Sequence, residues 1–310
     1  MSERQSGSEI WPAIDYEAWK DTQETVHLWS QIIGKIRLTK TPWINHSWHV
    51  PLYVTARGLS TSPIAHDTRI FEINFDFVGH TLDILVDDGE HRSIALQPMS
   101  VAHFYLAVMG ALDDLGLPVA IDKIPNELMD PLPFDQDQEH ASYDADAVNR
   151  FWRALAQIHR VYRRFRSEFI GKCSPVHFFW GSFDLAVTRF SGRTAPPHPG
   201  GIPNLPDRVA REAYSHECSS AGFWPGAEMF PTPIFYSYAY PEPEGFRDRK
   251  VGPAAAYFNQ DLSEFVLPYE SVRTAKSPDD ALLEFLHTTY RAAADLAGWD
   301  EDAFTLKMPA

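Results

Sequence analysis

The sequence lacks the features that mark several large classes of protein. None of its apolar runs approaches the length of about 18 residues that a membrane-spanning helix requires. Residues 1–20 contain no basic region followed by an apolar core, so we expect no signal peptide and a cytoplasmic location. The only cysteines are Cys173 and Cys218, and neither belongs to a CxxC pair. This pattern predicts free thiols rather than disulfides or a structural zinc site.

Positive charge is scarce as well. The chain has 27 lysine and arginine residues against 42 aspartate and glutamate residues, which gives a formal net charge of −15. Such a balance argues against nucleic acid or an anionic membrane as the main partner. No glycine-rich phosphate loop or GxGxxG motif is present, so no nucleotide cofactor is expected. A local cluster of arginines in 150–166 is interpreted as a solvated helix face, with a protein-interaction surface as the alternative.

The hydrophobic pattern predicts a mixture of helices and strands. Apolar residues recur at three- and four-residue steps in five segments: 15–37, 100–115, 144–169, 209–224 and from 277 onward. Alternating apolar and polar residues indicate strands, most clearly at 71–77. The expected fold class is α+β, with a largely antiparallel sheet flanked by helices.

The order of these elements suggests two related halves. Residues 1–125 and 126–310 each read as helix, several strands and helix, and each contains a Phe-Asp step, at Phe75-Asp76 and at Phe183-Asp184. We expect one continuous structural unit, with the candidate site in the second half.

The stretch from Ser174 to Arg193 is the most unusual in the chain, because a single predicted strand contains five aromatics and several ionisable residues. On a regular strand His177 and Asp184 would lie on opposite faces. Glycine within a strand often marks a bulge, so we predict an irregularity at Gly181-Ser182 that brings both side chains to one face.

This stretch, the following proline-rich loop and the predicted helix 209–224 are expected to enclose one cleft. Histidines tuned by carboxylates provide acid–base chemistry. Arginines would suit an anionic ligand. The candidate catalytic residues are His177, Asp184, His216 and Glu217. The candidate substrate-binding residues are Trp48, Trp180, Arg189, Arg193 and Tyr214. The alternative is that these groups satisfy one another as structural pairs.

A divalent metal is a further possibility for the same cleft. His177, His216 and Glu217 would form a two-histidine, one-carboxylate set suited to iron or zinc. The sequence has no HExxH motif to support this set. His46 and His49, near Trp48, either stack on an aromatic ligand or cover a sheet edge, and the second interpretation is favoured.

Four segments resemble a known bacterial family. They are RLTKTPWINHSWHVPLYVTARGLSTSPI, HASYDADAVNRFWRAL, GKCSPVHFFWGSFDLAVTRFSGR and REAYSHECSSAGFWPG, and they look like domain of unknown function 5996. The resemblance implies a bacterial origin and one continuous unit, but no activity. The resulting hypothesis is a cytoplasmic protein with an aromatic-lined cleft for a small organic molecule, anionic if the arginines contact it. It is either an enzyme using acid–base or metal-assisted chemistry, or a non-catalytic small-molecule-binding or protein-interaction protein.

Overall fold

The computed structural model describes residues 10–306. Residues 1–9, which form part of the segment on which the signal-peptide expectation depends, lie outside the described range. Between residues 10 and 306, no helix has the combined length and hydropathy needed to cross a membrane.

The helices and strands follow the sequence in this order. The helices are α1 Tyr16–Lys40, α2 Val101–Asp114, α3 Ala145–Ser167, α4 Asp207–Ala213, α5 Tyr269–Arg273, α6 Pro278–Leu296 and α7 Glu301–Phe304, with 3-10 turns at Asn45–Ser47 and Phe246–Asp248. The strands are β1 Tyr53–Val54, β2 Gly58–Ser60, β3 Ile64–His66, β4 Arg69–Asp76, β5 Thr81–Val86, β6 His91–Ala95, β7 His177–Phe179, β8 Asp184–Thr194, β9 His216–Trp224, β10 Ile234–Tyr240, β11 Tyr257–Asn259 and β12 Glu264–Pro268.

The strands form two six-stranded antiparallel sheets. The first has the order β1-β2-β4-β5-β6, with β3 paired to β4, and the second has the order β11-β12-β10-β9-β8-β7. The expected α+β fold with antiparallel sheets is therefore confirmed. In each half, long helices precede and follow six strands, but the two strand orders differ. One hydrophobic core includes residues from both halves, from Trp11 to Trp299.

The helix predicted over 209–224 was wrong beyond its first turn. Helix α4 ends at Ala213, and His216–Trp224 forms β9 between β8 and β10. The reason is tertiary: hydrogen-bonding partners on both sides override the local helical spacing. In addition, Gly222 lies directly beneath Tyr236 of β10, so that a Cβ at this position would overlap the tyrosine ring.

The predicted single strand in 174–193 is a hairpin. Strands β7 and β8 flank a turn from Trp180 to Phe183, in which Phe183 adopts a left-handed φ of 61°. The predicted irregularity is present, although it is a turn rather than a bulge. Phe179 pairs with Asp184 and His177 pairs with Ala186, so His177 and Asp184 share a face as expected.

The second sheet presents two different faces. One face, which includes Leu185, Val187 and Phe223, is buried in the core beneath α3 and α6. The other face includes His177 and Asp184 and is covered by the segments around residues 43–50, 126–127 and 202–214. The second sheet thus has the hydrophobic core on one face. On its other face it carries a polar and aromatic surface, which these three segments cover.

Candidate functional site

A cavity of about 360 Å³ lies on this covered face of the second sheet. Aromatic side chains dominate its wall: Trp43, Trp48, Phe179, Trp180, Phe190, Tyr214, Tyr236 and Tyr238. The polar side chains include Glu127, His46, His49, His177, Ser182, Thr188 and Ser220. Pockets of at least about 300 Å³ with apolar walls and a few polar groups are typical of small-molecule sites.

Small residues in the central strands create the space for the cavity. Ala186 of β8 lies beside Gly222 of β9, which lies beside Tyr236 of β10. The next row on the same face contains Thr188, Ser220 and Tyr238. Because β8 and β9 contribute short side chains, the tyrosines of β10 can lean over them. The sequence pattern therefore builds a concave floor with phenol groups along one side.

A carboxyl network lies at the hairpin end of the cavity. Asp184 is 6% exposed and accepts a hydrogen bond from Ser182 Oγ at 2.7 Å on Oδ1, while the Tyr236 hydroxyl donates to Oδ2. Burial raises the pKa of Asp184, and the two hydroxyl donors oppose that rise. Ser182 and Tyr236 line the cavity, so Asp184 is connected to the cavity by its hydrogen bonds to these two residues.

Glu127 is the carboxyl group that lines the cavity itself. Its backbone has a left-handed φ of 61°, and its Oε1 lies so close to Gly181 that a Cβ there would overlap it. Burial and the neighbouring Asp184 raise the pKa of Glu127 to about 7, while a hydrogen bond with Ser182 lowers it. Glu127 is therefore neither fully protonated nor fully ionised near neutral pH.

Contacts from α1 fix the position of Glu127 and of the hairpin turn. Gln31 Nε2 donates to Asn126 O at 3.0 Å, and Asn126 N donates to Gln31 Oε1 at 2.7 Å. His27 Nε2 lies 2.8 Å from Gly181 O. Burial lowers the pKa of His27 to about 4, so the neutral ring donates this bond. These contacts from α1 hold Glu127 and the hairpin turn in place, and so keep the carboxyl groups of Glu127 and Asp184 close to each other.

His177 lines the cavity from the edge strand β7. It is 1% exposed, and among residues 10–306 its Nδ1 has no hydrogen-bonding partner. Burial, together with the positive charges of Arg166 and Arg37, lowers the pKa of His177 to about 3. The imidazole is neutral, and a buried nitrogen without a hydrogen-bonding partner is uncommon in folded proteins.

A second polar group occupies the opposite end of the cavity. His46 and Ser47 have left-handed φ values of 58° and 57°, and the Glu212 carboxylate accepts from His46 N at 2.9 and 2.8 Å. His46 Nδ1 donates to Ala213 O at 2.9 Å, and Lys172 Nζ donates to His46 Nε2 at 2.6 Å. Backbone strain of this kind is often concentrated at functional sites.

Comparison with known proteins gives a family. A family model described as a family of unknown function, DUF5996, matches residues 11–306. The chain belongs to the DUF5996 family. No curated protein matches it, and no solved structure does.

In this DUF5996 protein, four of the predicted site residues line the cavity: Trp48, His177, Trp180 and Tyr214. Trp180 also has a structural role, since its Nε1 donates to Val50 O at 2.9 Å and its ring packs against Gly34 of α1. The Tyr214 hydroxyl lies 2.7 Å from that of Tyr238.

Arg189 does not reach the cavity, contrary to its assignment as a substrate-binding residue. It lies on the core face of β8, 4% exposed, where it donates to Phe165 O. Its guanidinium lies 3.5 Å from the Phe165 ring centre and 4.4 Å from that of Tyr290. Alternation along β8 explains the difference, because odd-numbered residues of this strand point away from the cavity.

Arg193 and Glu217 also lie outside the cavity. Arg193 Nη2 is 2.7 Å from Glu217 Oε2 and donates to Ala297 O at 2.6 Å, so the pair secures the end of α6. The two arginines that motivated an anionic ligand are therefore both absent from the cavity wall.

The three metal candidates are not gathered at one point. His216 pairs with Thr194 and His177 with Ala186, which lie eight residues apart along β8, or about 26 Å on a straight strand. Glu217 follows His216 on a strand and points to the opposite face. Among residues 10–306, no group of three or more histidine, cysteine, aspartate or glutamate side chains is positioned to hold a metal ion. The shared cleft predicted for His177 and His216 was wrong.

Sequence reasoning missed several residues of the site. Glu127 lies in a proline-rich crossover where nothing in the local pattern distinguishes it from the neighbouring acids. Tyr236 and Tyr238 could have been found, because the alternation in IFYSYAY places its tyrosines on one face. For His46 the sequence analysis favoured cover of a sheet edge over stacking on a ligand, whereas the structure places it in the cavity wall.

Proposed function

We propose that this protein binds a small organic molecule in the cavity and carries out acid–base catalysis on it through Glu127. The observation that carries the proposal is the contact series formed by Glu127, Ser182 and Asp184 at the wall of an aromatic cavity. The proposed setting is a bacterial cytoplasm: the free thiols of Cys173 and Cys218 support the compartment, and the resemblance of the four sequence segments implies the bacterial origin.

The network can divide the roles of its two carboxyl groups. Asp184 accepts from two hydroxyl groups, which stabilises its ionised form. Glu127 lacks the tyrosine donor and is disfavoured as an anion by the charge on Asp184. A group with a pKa of about 7 can donate or accept a proton with little cost near neutral pH. Ser182 is the hydroxyl between the two acids: it donates to Asp184 and forms a hydrogen bond with Glu127.

The remaining wall suits recognition rather than chemistry. His177 is neutral, and burial raises the pKa of the Cys218 thiol to about 12, so neither a protonated imidazole nor a thiolate is supplied. The aromatic rings provide a flat apolar enclosure for the body of the ligand.

Binding without catalysis is the second candidate function. The observation in its favour is that, in the part of the chain that the structure describes, neither His177 nor His216 forms a hydrogen bond with a carboxylate. His216 Nδ1 lies 3.1 Å from Ser215 Oγ instead. A binding protein would use Glu127 for recognition only.

The test compares the wild-type protein with Glu127→Gln after incubation with a bacterial metabolite extract, followed by mass spectrometry. Glu244→Gln serves as the control, since it removes the same charge from an exposed position. We expect wild type and control to deplete a compound that Glu127→Gln leaves intact. Retention of a compound without conversion would establish the binding function instead. No retained or depleted compound would contradict both and favour a protein-interaction role.

A further inference from the structure

The acidic groups at the hairpin end of the cavity have no cationic partner. Glu127 and Asp184 meet there, and burial together with the charge of Asp184 raises the pKa of Glu264 of β12 to about 8. Phe265 pairs with Ser237, so Glu264 lies on the cavity face of the sheet. Within residues 10–306, none of these three carboxyl groups forms an ion pair. Burying carboxylates without a counter-charge is costly.

The cations nearest to the cavity are located elsewhere. Lys172 contacts His46 and lies 5.2 Å from the ring centre of Phe190. Phe190 is six residues along β8 from Asp184, which is about 20 Å on a straight strand. Arg208 lines the cavity but is exposed. Arg37 and Arg166 lie near enough to His177 to lower its pKa, but within residues 10–306 no cation forms an ion pair with Glu127 or Asp184.

The rest of the cavity wall also favours a cation. The faces of tyrosine, tryptophan and phenylalanine rings are electron-rich and attract ammonium groups within about 6 Å. An independent observation is the neutral, 1% exposed His177, whose Nδ1 has no partner in the described chain. Buried polar atoms without a partner are uncommon, and this one belongs to a residue of the cavity wall. The positive charges of Arg166 and Arg37 near His177 direct the ligand's own charge away from it and towards Glu127.

We propose that the ligand is an organic amine bound as its ammonium ion, with the nitrogen at Glu127 and Ser182 and an apolar, ring-sized body between the aromatic walls. The inference rests on the proposed function only in using the same cavity, and it holds for an enzyme and for a binding protein.

Three probes of similar shape separate the ligand classes: 2-phenylethylamine, 2-phenylethanol and 3-phenylpropanoate. Their affinities for the full-length protein are measured by calorimetry at neutral pH, with quenching of tryptophan fluorescence as a second signal from Trp48 and Trp180. We expect the amine to bind at least about tenfold more tightly than the alcohol, which corresponds to ~1.4 kcal/mol. The carboxylate should bind most weakly.

Two variants show where the preference arises. In Glu127→Gln the ratio of amine to alcohol affinity should fall to about twofold or less, with the alcohol affinity nearly unchanged. In Glu244→Gln, which removes an equal charge from the surface, the ratio should be retained. Circular dichroism verifies that both variants are folded.

Several outcomes would overturn the inference: tighter binding of the alcohol or carboxylate, a preference that survives in Glu127→Gln, or no amine binding at millimolar concentration. If the alcohol or the carboxylate binds in the cavity instead, only the ligand class fails, and the proposed acid–base function stands. That function fails separately if Glu127→Gln retains full conversion of the compound identified by mass spectrometry.

Discussion

Replacing Glu127 with glutamine should make the protein more stable at alkaline pH but not at acidic pH. Glutamine keeps the shape of a protonated glutamate and can still donate to Ser182, while it cannot become a buried anion. Burial and Asp184 raise the pKa of Glu127 from 4.5 to about 7 in the folded protein. The folded state therefore binds this proton more tightly than the unfolded state does.

The sign of the effect follows from that difference. Stabilisation by the bound proton is fully present below pH 4.5 and is lost as the pH rises through about 7. The difference between the two pKa values corresponds to a loss of up to about 3 kcal/mol in the wild-type protein at pH ~8. The groups that face Glu127 and influence its titration are Asp184 and Ser182, with His27 bound to the adjoining Gly181 O.

The assay is urea denaturation of wild type, Glu127→Gln and Glu244→Gln at pH ~4 and ~8. We expect Glu127→Gln to equal wild type within about 0.5 kcal/mol at the lower pH and to exceed it by about 2–3 kcal/mol at the higher pH. The exposed Glu244→Gln should show no such dependence. A Glu127→Gln variant that is less stable than wild type at pH ~8 would refute the assignment of a half-buried carboxyl group that no cation compensates within residues 10–306.

Four further variants test the surrounding structure. Tyr236→Phe removes a donor to buried Asp184 and should lower the free energy of unfolding by about 1–3 kcal/mol at neutral pH; an unchanged urea midpoint would contradict this hydrogen bond. Gly34→Ala would place a Cβ against the Trp180 ring and should destabilise the protein by about 1–3 kcal/mol, whereas Gly110→Ala, in open space on α2, should stabilise it by about 0.5–1 kcal/mol. A triple variant replaces arginines of α3 by glutamine: Arg153, Arg160 and Arg164. Because these side chains belong to a helix on the core side of the sheet, affinity for 2-phenylethylamine should remain within a few-fold of wild type, and loss of binding in a folded variant would revive an interaction role for this helix.

The sequence by itself determined the helices in which apolar residues recur regularly along one face. Asp144 accepts from Ala147 N at the start of α3, and Phe151, Leu155 and Ile158 are buried as their spacing predicts. Alternation likewise identified β4, where Phe71, Ile73 and Phe75 are buried. These elements follow from local periodicity, because a single buried face is enough to specify them.

Tertiary pairing decided the elements around the site. The segment at 216–224 has helix-compatible spacing, yet it forms a central strand because β8 and β10 supply hydrogen bonds on both sides. The turn between β7 and β8 reversed the chain within a predicted strand, and it placed Arg189 in the core rather than in the cavity. A shift of one residue in strand parity exchanges the two faces of a sheet, so local sequence could not fix these side chains.

The site combines groups that are far apart in the chain. Glu127 of the crossover, Asp184 of β8 and Tyr236 of β10 meet only because the second sheet and α1 bring them together. Their altered pKa values come from burial and from one another, which are properties of the folded protein. The sequence determined that this half of the chain is rich in aromatic and ionisable residues. The tertiary structure decided which of them share a cavity, because desolvation and proximity arise only on folding.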